Sequence, residues 1–478
     1  MLLGRRTYVG AMPAKVSIAA AGFAGTPWRS ELASTVRLAA PMALIQLGQI
    51  AMMTTDLILV GRLGDRSLAA AALAHTVLFV CFTAGLGLVA AVAPLAAQAF
   101  GAGEPRMVRR ALRVGLWAAG AAGAPMTLLQ LRGGDILIAL GQEPASAALA
   151  GRYLAGIAWA LIPAWSFIAL RNFMGAVNRP EPALWITLLA IPINAVVAYA
   201  LIYGACGLPA LDLFGAGLAT TLVDAGMCAA AVVIAATRRP FRKYRVLGGF
   251  WRADLALFGK LLAIGVPIGG ALLLEYGVFA AAALLMGRIS TSAVAAHQIA
   301  MQTSAILYMV PFGVSLAATV RVGHAVGRRD AVGARCAGFA AVAIGVAFMS
   351  AMTLIIALAR HAIPLLFLGA EAPQDTIALA SALLLLAMSF FIADGAQAVA
   401  GGALRGLNDT RVPLLFAAVS FWVVGFASCL GLAFPLGLGA IGVWIGLSLG
   451  TILYAVLLLW RFHALTARGV LPVLRAQP

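Results

Sequence analysis

The chain has 478 residues, 63% of them apolar and 10% charged, whereas a soluble domain is about half apolar and roughly a quarter charged, so no water-soluble core absorbs the excess. The net charge of +17 implies nucleic acid only where basic residues share a solvated face; here they lie between apolar runs, as in cytoplasmic loops. Those runs are about 20 residues long and continuous rather than alternating, which excludes a closed barrel and fits helices crossing about 30 Å of hydrocarbon.

In chain order, residues 1–36 read as a cytoplasmic extension. Arg5 and Arg6 precede a short apolar stretch that Lys15 interrupts, and the alternative is an over-long start ahead of Met12. Six spans follow, at 37–60, 68–99, 112–131, 147–174, 182–203 and 215–236, making an N-terminal lobe over 37–236. The first carries Pro41, Gln46, Gln49 and Asp56, the fifth Asn194, and the sixth Thr220 and Asp224, whose spacing of four puts them on one helix face.

A linker at 237–258 comes next. Arg238, Arg239, Arg242, Lys243, Arg245 and Arg252, with Lys260 just beyond, make it the densest basic cluster, read as a topogenic, headgroup-binding loop or as a regulatory one. The C-terminal lobe, 259–461, holds spans at 259–286, 293–320, 336–359, 377–403, 412–433 and 439–460, followed by a cytoplasmic tail at 462–478. Pro267 and Glu275 lie on the seventh span, His297 and Gln298 on the eighth, and Asp394 on the tenth. With the N-terminus cytoplasmic, every Lys and Arg falls on the cytoplasmic side except Arg62, Arg66, Arg132, Arg152, Arg288 and Arg360. Cys81, Cys228 and Cys429 lie inside spans and Cys206 and Cys336 at span ends, with no CxxC pair, so packing is their reading rather than zinc or disulfides.

The chain repeats itself. A shift of 226 positions brings Pro41 onto Pro267, Gly61-Arg62-Leu63 onto Gly287-Arg288-Ile289, Gly101 onto Gly327 and Arg109 onto Arg335; a shift of 230 brings Asn178 onto Asn408. Six helices separate the matching loops, so the repeats are parallel and related by an axis along the membrane normal. The expected fold is all-α, with twelve transmembrane helices in two pseudo-symmetric six-helix bundles around a cleft.

Four of the 16 acids, Asp56, Asp224, Glu275 and Asp394, fall inside predicted spans, and no Lys or Arg is expected equally deep. A carboxylate at bilayer depth costs about 2.5 to 3.5 kcal/mol on insertion scales, so such groups usually face a cavity and serve a function. A cavity lined by acids alone favours cations, namely protons, sodium or organic cations. The alternative is a protonated carboxyl bonded to a neighbouring helix for packing. Gln46, Gln49, His297 and Gln298 are the expected polar lining, with His297 either a proton relay or a structural histidine. Pro41 and Pro267 are candidate hinges or static kinks.

The stretches LAAPMALIQLGQIAMMTTDLILVGRLG, PLAAQAFGAG and FFIADGAQAVAGGALRGLNDTRVP, in this order and at these intervals, resemble the multidrug and toxic compound extrusion (MATE) family, in particular its NorM-like bacterial branch, over residues 37–460. The resemblance implies two lobes around a drug cavity in the bacterial inner membrane, and export of cationic or amphiphilic compounds against entering Na+ or H+. It assigns the C-lobe cation site to Glu275 and Asp394, with Na+ as a candidate occupant, and the N-lobe acid to Asp56 with Asn194 and Thr220 as neighbours. Some relatives place a second acid four residues past the fifth-helix asparagine, where this chain has Ala198, so a complete N-lobe sodium site is not expected, and Asp224 is a candidate substitute.

The competing reading is a lipid or lipid-linked-sugar flippase of the same superfamily, which would need Arg or Lys in the cavity for a diphosphate. An enzyme is not expected, since HExxH and GxxxxGK[ST] are missing and the acids are not accompanied by a nucleophile or metal-ligand cluster. The expected partners are small organic cations and drugs and the lipid bilayer, without a cofactor and without nucleic acid, the protein acting as a monomer with both termini cytoplasmic.

Overall fold

The computed structural model of the chain describes residues 26–207, 209–246, 248–252, 254–369 and 373–467. Most of the predicted N-terminal extension, and the tail beyond 467, lie outside them. Among the described residues, twelve helices are long and apolar enough to cross a membrane: α1 Trp28–Gly61, α2 Asp65–Gly101, α3 Pro105–Leu131, α4 Pro144–Ala176, α5 Glu181–Tyr203, α6 Asp212–Thr237, α7 Leu255–Ile289, α8 Thr291–Gly327, α9 Ala331–Ala359, α10 Gln374–Gly406, α11 Arg411–Ala433 and α12 Gly439–Ala467. Each contains its predicted span or nearly so, but several run well past it. α1 begins at Trp28 rather than 37, and α12 ends at Ala467 rather than 460. Hydropathy reads only the hydrocarbon-crossing part, whereas a helix continues into the interface until a cap stops it.

The caps are written in the sequence. Asp254, Ser290 and Asp330 each accept a backbone N–H three residues on, opening α7, α8 and α9. Asn178 and Asn408 close α4 and α10 in the left-handed region, φ 58° and 60°, where asparagine is tolerated. They repeat the same bonds: Asn178 N–H to Gly175 and Arg179 N–H to Met174, then Asn408 N–H to Arg405 and Asp409 N–H to Leu404. The 230-residue echo is therefore a repeated turn.

Inside hydrocarbon there is no hydrophobic drive between helices, so small residues that let backbones approach and hydrogen bonds across helices hold a bundle together. The halves meet in this way, and they do so twice over. A methyl on Gly87 of α2 would overlap the backbone of Gly269 on α7, and a methyl on Gly313 of α8 would overlap the backbone of Ala43 on α1; the 226-residue step converts one contact into the other. Nearer the helix ends, a methyl on Gly101 would strike the carbonyl of His324, and one on Gly327 would strike the carbonyl of Gln98. The same two partners also bond across the halves. Gln98 Nε2 donates to the Gly406 carbonyl at the end of α10 over 2.9 Å, and His324 Nε2 lies 2.7 Å from the Ala176 carbonyl at the end of α4. All four of these helices end on the face that carries the linker.

The linker does not hang free. Asp254 pairs with Arg110 of α3 at 2.6 Å, Arg113 donates to the Gly249 carbonyl at 2.9 Å, and the Trp117 indole donates to the Phe250 carbonyl at 3.0 Å. The Arg110 guanidinium holds the Asp254 carboxyl below its ordinary range, so this pairing is present above the unfolded-state value and fades only as the medium turns strongly acidic.

Large apolar side chains such as Trp185, Leu284 and Leu366 stand exposed on the outside, as lipid contact requires. Gly327→Val is expected to lower the melting temperature of the detergent-solubilised protein, costing about 1 to 3 kcal/mol from overpacking. Gly287→Ala, whose new methyl meets open space, is expected to melt as the parent does. Equal melting of the two variants would contradict the close contact at the base of α2 and α8.

Candidate functional site

Two clusters of polar side chains interrupt the apolar interior, one in each half. In the N-terminal half, Asp56 of α1 accepts from Asn194 Nδ2 of α5 at 2.6 Å and from Thr220 Oγ1 of α6 at 3.4 Å. Thr220 lies one turn before Asp224, a half-buried carboxyl that takes no hydrogen bond among the described residues and is a like-charge neighbour of Asp56. Tyr153 of α4 is buried close by. At Ala198 the chain offers only a fully buried methyl, so α5 places no acid one turn beyond Asn194.

In the C-terminal half, one amide nitrogen joins two acids. Gln397 Nε2 donates to Glu275 Oε1 at 2.7 Å and to Asp394 Oδ1 at 2.8 Å, which uses both of its hydrogens. The Gln397 carbonyl oxygen is buried and takes no partner. Two carboxyl groups and a free amide oxygen make an all-oxygen donor set, the chemistry that hard cations prefer. A cavity runs from Glu275 and Gln397, past Tyr308 and Tyr454, to Arg405 and Asp409 near the linker face. Asp394 is not in its wall; it is 4% exposed and stands one hydrogen bond behind Gln397. Entry to Asp394 from the cavity therefore passes Gln397.

The helix that bonds to the backbone beside Glu275 departs from regular geometry, at a place the repeat matches to a proline. α11 widens into a π-helical segment at Ala418–Phe426, and its Trp422 donates to the Leu274 carbonyl beside Glu275 at 3.1 Å. The 230-residue step puts Trp422 on Pro192 of α5, two residues before Asn194. Such irregularities free backbone groups and often mark functional positions.

The structure corrects one expectation outright, because arginines do enter the interior that holds the acids. Arg405 lines the same cavity as Glu275 and donates to Ser315 Oγ at 2.7 Å; α10 simply continues past its predicted end and its long side chain turns inward. Arg171 of α4 is 6% exposed and donates to Gln46 Oε1 at 2.7 Å and to Gln49 Oε1 at 3.3 Å. Those two glutamines therefore hold an internal arginine, and neither lines the Glu275 cavity. His297 is buried against Trp444, ring centroids 5.7 Å apart, and Gln298 is exposed; both are outside that cavity's wall too. Pro41 and Pro267 sit within unbroken helices, and only Pro267 touches the cavity.

Gln397 was missed by the search for charges, although its spacing of three from Asp394 places it on the same helix face. Tyr308 and Tyr454 carry no comparable signal, since an aromatic inside a span reads as packing. Removing the shared donor with Gln397→Leu leaves two buried acids short of a partner. A loss of about 1 to 3 kcal/mol of stability is expected, read as a lower melting temperature, whereas Gln298→Leu on the exposed surface is expected to have no effect. A Gln397→Leu protein as stable as the parent would contradict the bridging role.

The comparisons with known proteins agree with this architecture. The MatE family model matches residues 41–200 and 267–430, one segment in each half. A protein from Rhodopseudomonas palustris named "Probable multidrug resistance protein NorM" is 62% identical over 440 residues, covering 92% of this chain and 93% of that protein. One of the same name from Bradyrhizobium diazoefficiens is 60% identical over 441 residues, covering 92% of this chain and 95% of that protein. Among solved structures, the eukaryotic MATE transporter AtDTX14 superposes with a TM-score of 0.83 at 21% identity, covering 93% of this chain and 99% of its own. An outward-facing multidrug resistance MATE family transporter of the MOP superfamily superposes with a TM-score of 0.82 at 20% identity, covering 92% and 96%. Paired polar clusters, twofold-related helix crossings and these matches lead to one assignment: the chain belongs to the MatE family.

Proposed function

We propose that the protein is a secondary active multidrug efflux transporter that exports cationic or amphiphilic compounds in exchange for entering cations. One observation carries the reading: Glu275 and Asp394 share a single amide donor at the wall of an internal cavity, at a depth where lipid disfavours any charge. The names of relatives at 62% and 60% identity support drugs as the substrate class, and the family's coupling to ion gradients supports a coupling ion.

Residues 37–236 and 259–461 act as the moving lobes, with 237–258 as their connection. Cation coupling rests with Glu275 and Asp394 in one half and with Asp56, supported by Asn194 and Thr220, in the other. Asp224 acts as a reserve carboxyl beside Asp56. Na+ or H+ entering at these oxygens competes with an organic cation for the same negative charge, and this mutual exclusion is the coupling an antiporter needs. A membrane potential of 100 mV adds about 2.3 kcal/mol per charge moved. The protein works as a monomer in the bacterial inner membrane with both termini cytoplasmic, consistent with the basic linker on that side.

A lipid or lipid-linked-sugar flippase is not favoured. Arg405 does supply a cationic group in the cavity wall, but it faces Glu275 and Asp409 there rather than a cluster of further basic residues, and the relatives' names point to drugs. Ethidium accumulation in cells with and without expression separates the two readings.

In proteoliposomes under separately imposed sodium and pH gradients, Asp394→Asn is expected to abolish drug efflux under whichever gradient drives the parent, while the protein still inserts and elutes as a single species. Gradient-driven efflux by the variant at the parent's rate would refute the assignment.

A further inference from the structure

At the linker face, a small cleft opens between the start of α3, the linker and the first turn of α7. Its wall is mostly apolar, built by Val114, Trp117, Leu255 and Phe258, and its rim is basic, built by Arg113 and Arg252. From these features we infer that the cleft is a binding site for the phosphodiester headgroup of an anionic phospholipid.

The polar groups are arranged for an anion. Arg113 is 7% exposed, and its Nε is buried with no hydrogen-bond partner. Its other nitrogens are committed to the Gly249 carbonyl at 2.9 Å and, more loosely, to Asp254 at 3.6 Å. Arg109, one turn before it on α3 and outside the cleft wall, also buries an Nε without a partner among the described residues. The Arg252 side chain is exposed and has no partner among the described residues. Against Arg113 and Arg252 in its wall the cleft sets a single acid, Asp254, already engaged by Arg110 at 2.6 Å. The cleft thus keeps an excess of positive charge next to donors whose hydrogens are unused, and a buried donor left unpaired is costly.

The apolar groups identify the source of that anion as a lipid. Trp251 is 84% exposed and Leu255 79% exposed, beside Trp117 and Phe250, whose rings lie 6.2 Å apart. Exposed indoles and a leucine beside arginines are the composition of a headgroup boundary, where the phosphate meets cations and the glycerol and first methylenes meet aromatic faces. A soluble phosphate would gain nothing from Leu255 and Phe258. Because α3 belongs to the N-terminal half and α7 to the C-terminal half, a lipid seated here touches both.

The test uses the full chain, stripped of lipid in neutral detergent, with bound lipid counted by native mass spectrometry as phosphatidylglycerol or phosphatidylcholine is added. The parent is expected to retain phosphatidylglycerol in preference to phosphatidylcholine. Arg252→Gln, an exposed change that leaves the fold alone, is expected to weaken phosphatidylglycerol retention about fivefold with phosphatidylcholine unchanged. Arg328→Gln, on the same face but outside the cleft, is expected to bind as the parent does. Inorganic phosphate at equal concentration is expected not to displace the lipid. The site is overturned if Arg252→Gln retains phosphatidylglycerol as the parent does, if Arg328→Gln weakens it equally, or if inorganic phosphate displaces it as effectively as the lipid itself.

Discussion

Backbone meets backbone where α2 crosses α8, and this contact determines how the rest of the molecule is arranged. Gly101 and Gly327 leave no room for a side chain, and Gln98 and His324 bind the last carbonyls of α10 and α4 across the junction. Within lipid, where apolar surface alone does not join helices, such close contacts and hydrogen bonds supply the specificity of association. They tie the two halves at the linker face.

The same symmetry that builds the scaffold is broken in the chemistry. The 226-residue step places Glu275 on Gln49 and Asp56 on Ala282. At the depth where α7 carries an acid, α1 carries an amide whose oxygen accepts from Arg171; the α1 acid stands two turns farther along, paired with Asn194. Duplication thus supplied two equivalent bundles, and divergence set their charged groups at different depths. In the C-terminal half, Gln397 stands between the open cavity and Asp394, while Glu275 faces the cavity directly. The two acids thus share a donor but differ in access.

Much of this could be read from the chain. Spans, repeat and acids all follow from one fact, the cost of polar groups in hydrocarbon, which leaves a strong mark on sequence. The Asn178 and Asn408 turns were visible as an echo before their left-handed conformation gave the reason. What escaped reading depends on side-chain reach. Arg405 lies beyond the predicted end of its span, yet its guanidinium turns inward to Ser315 and joins the wall of the cavity that Glu275 lines. Arg171 lies within a span near its end and turns inward to Gln46 and Gln49 rather than out to the interface. Hydropathy locates a Cα along the membrane normal but not the tip of a six-atom side chain, and so an interior expected to hold only negative charge holds both signs. His297 shows the converse, a polar residue at membrane depth that packs on Trp444 away from the cavity.

The claim on which the functional reading turns is that drug and coupling cation contend for the same oxygens. Calorimetric titration of an organic cation such as ethidium into the purified protein, repeated at rising sodium concentration and at falling pH, tests it most directly. Drug affinity is expected to fall as one of the two cations rises, and to become insensitive to that cation when Glu275 and Asp394 are both replaced by their amides. Drug affinity in the parent that is unaffected by both sodium and pH would contradict coupling at these carboxylates.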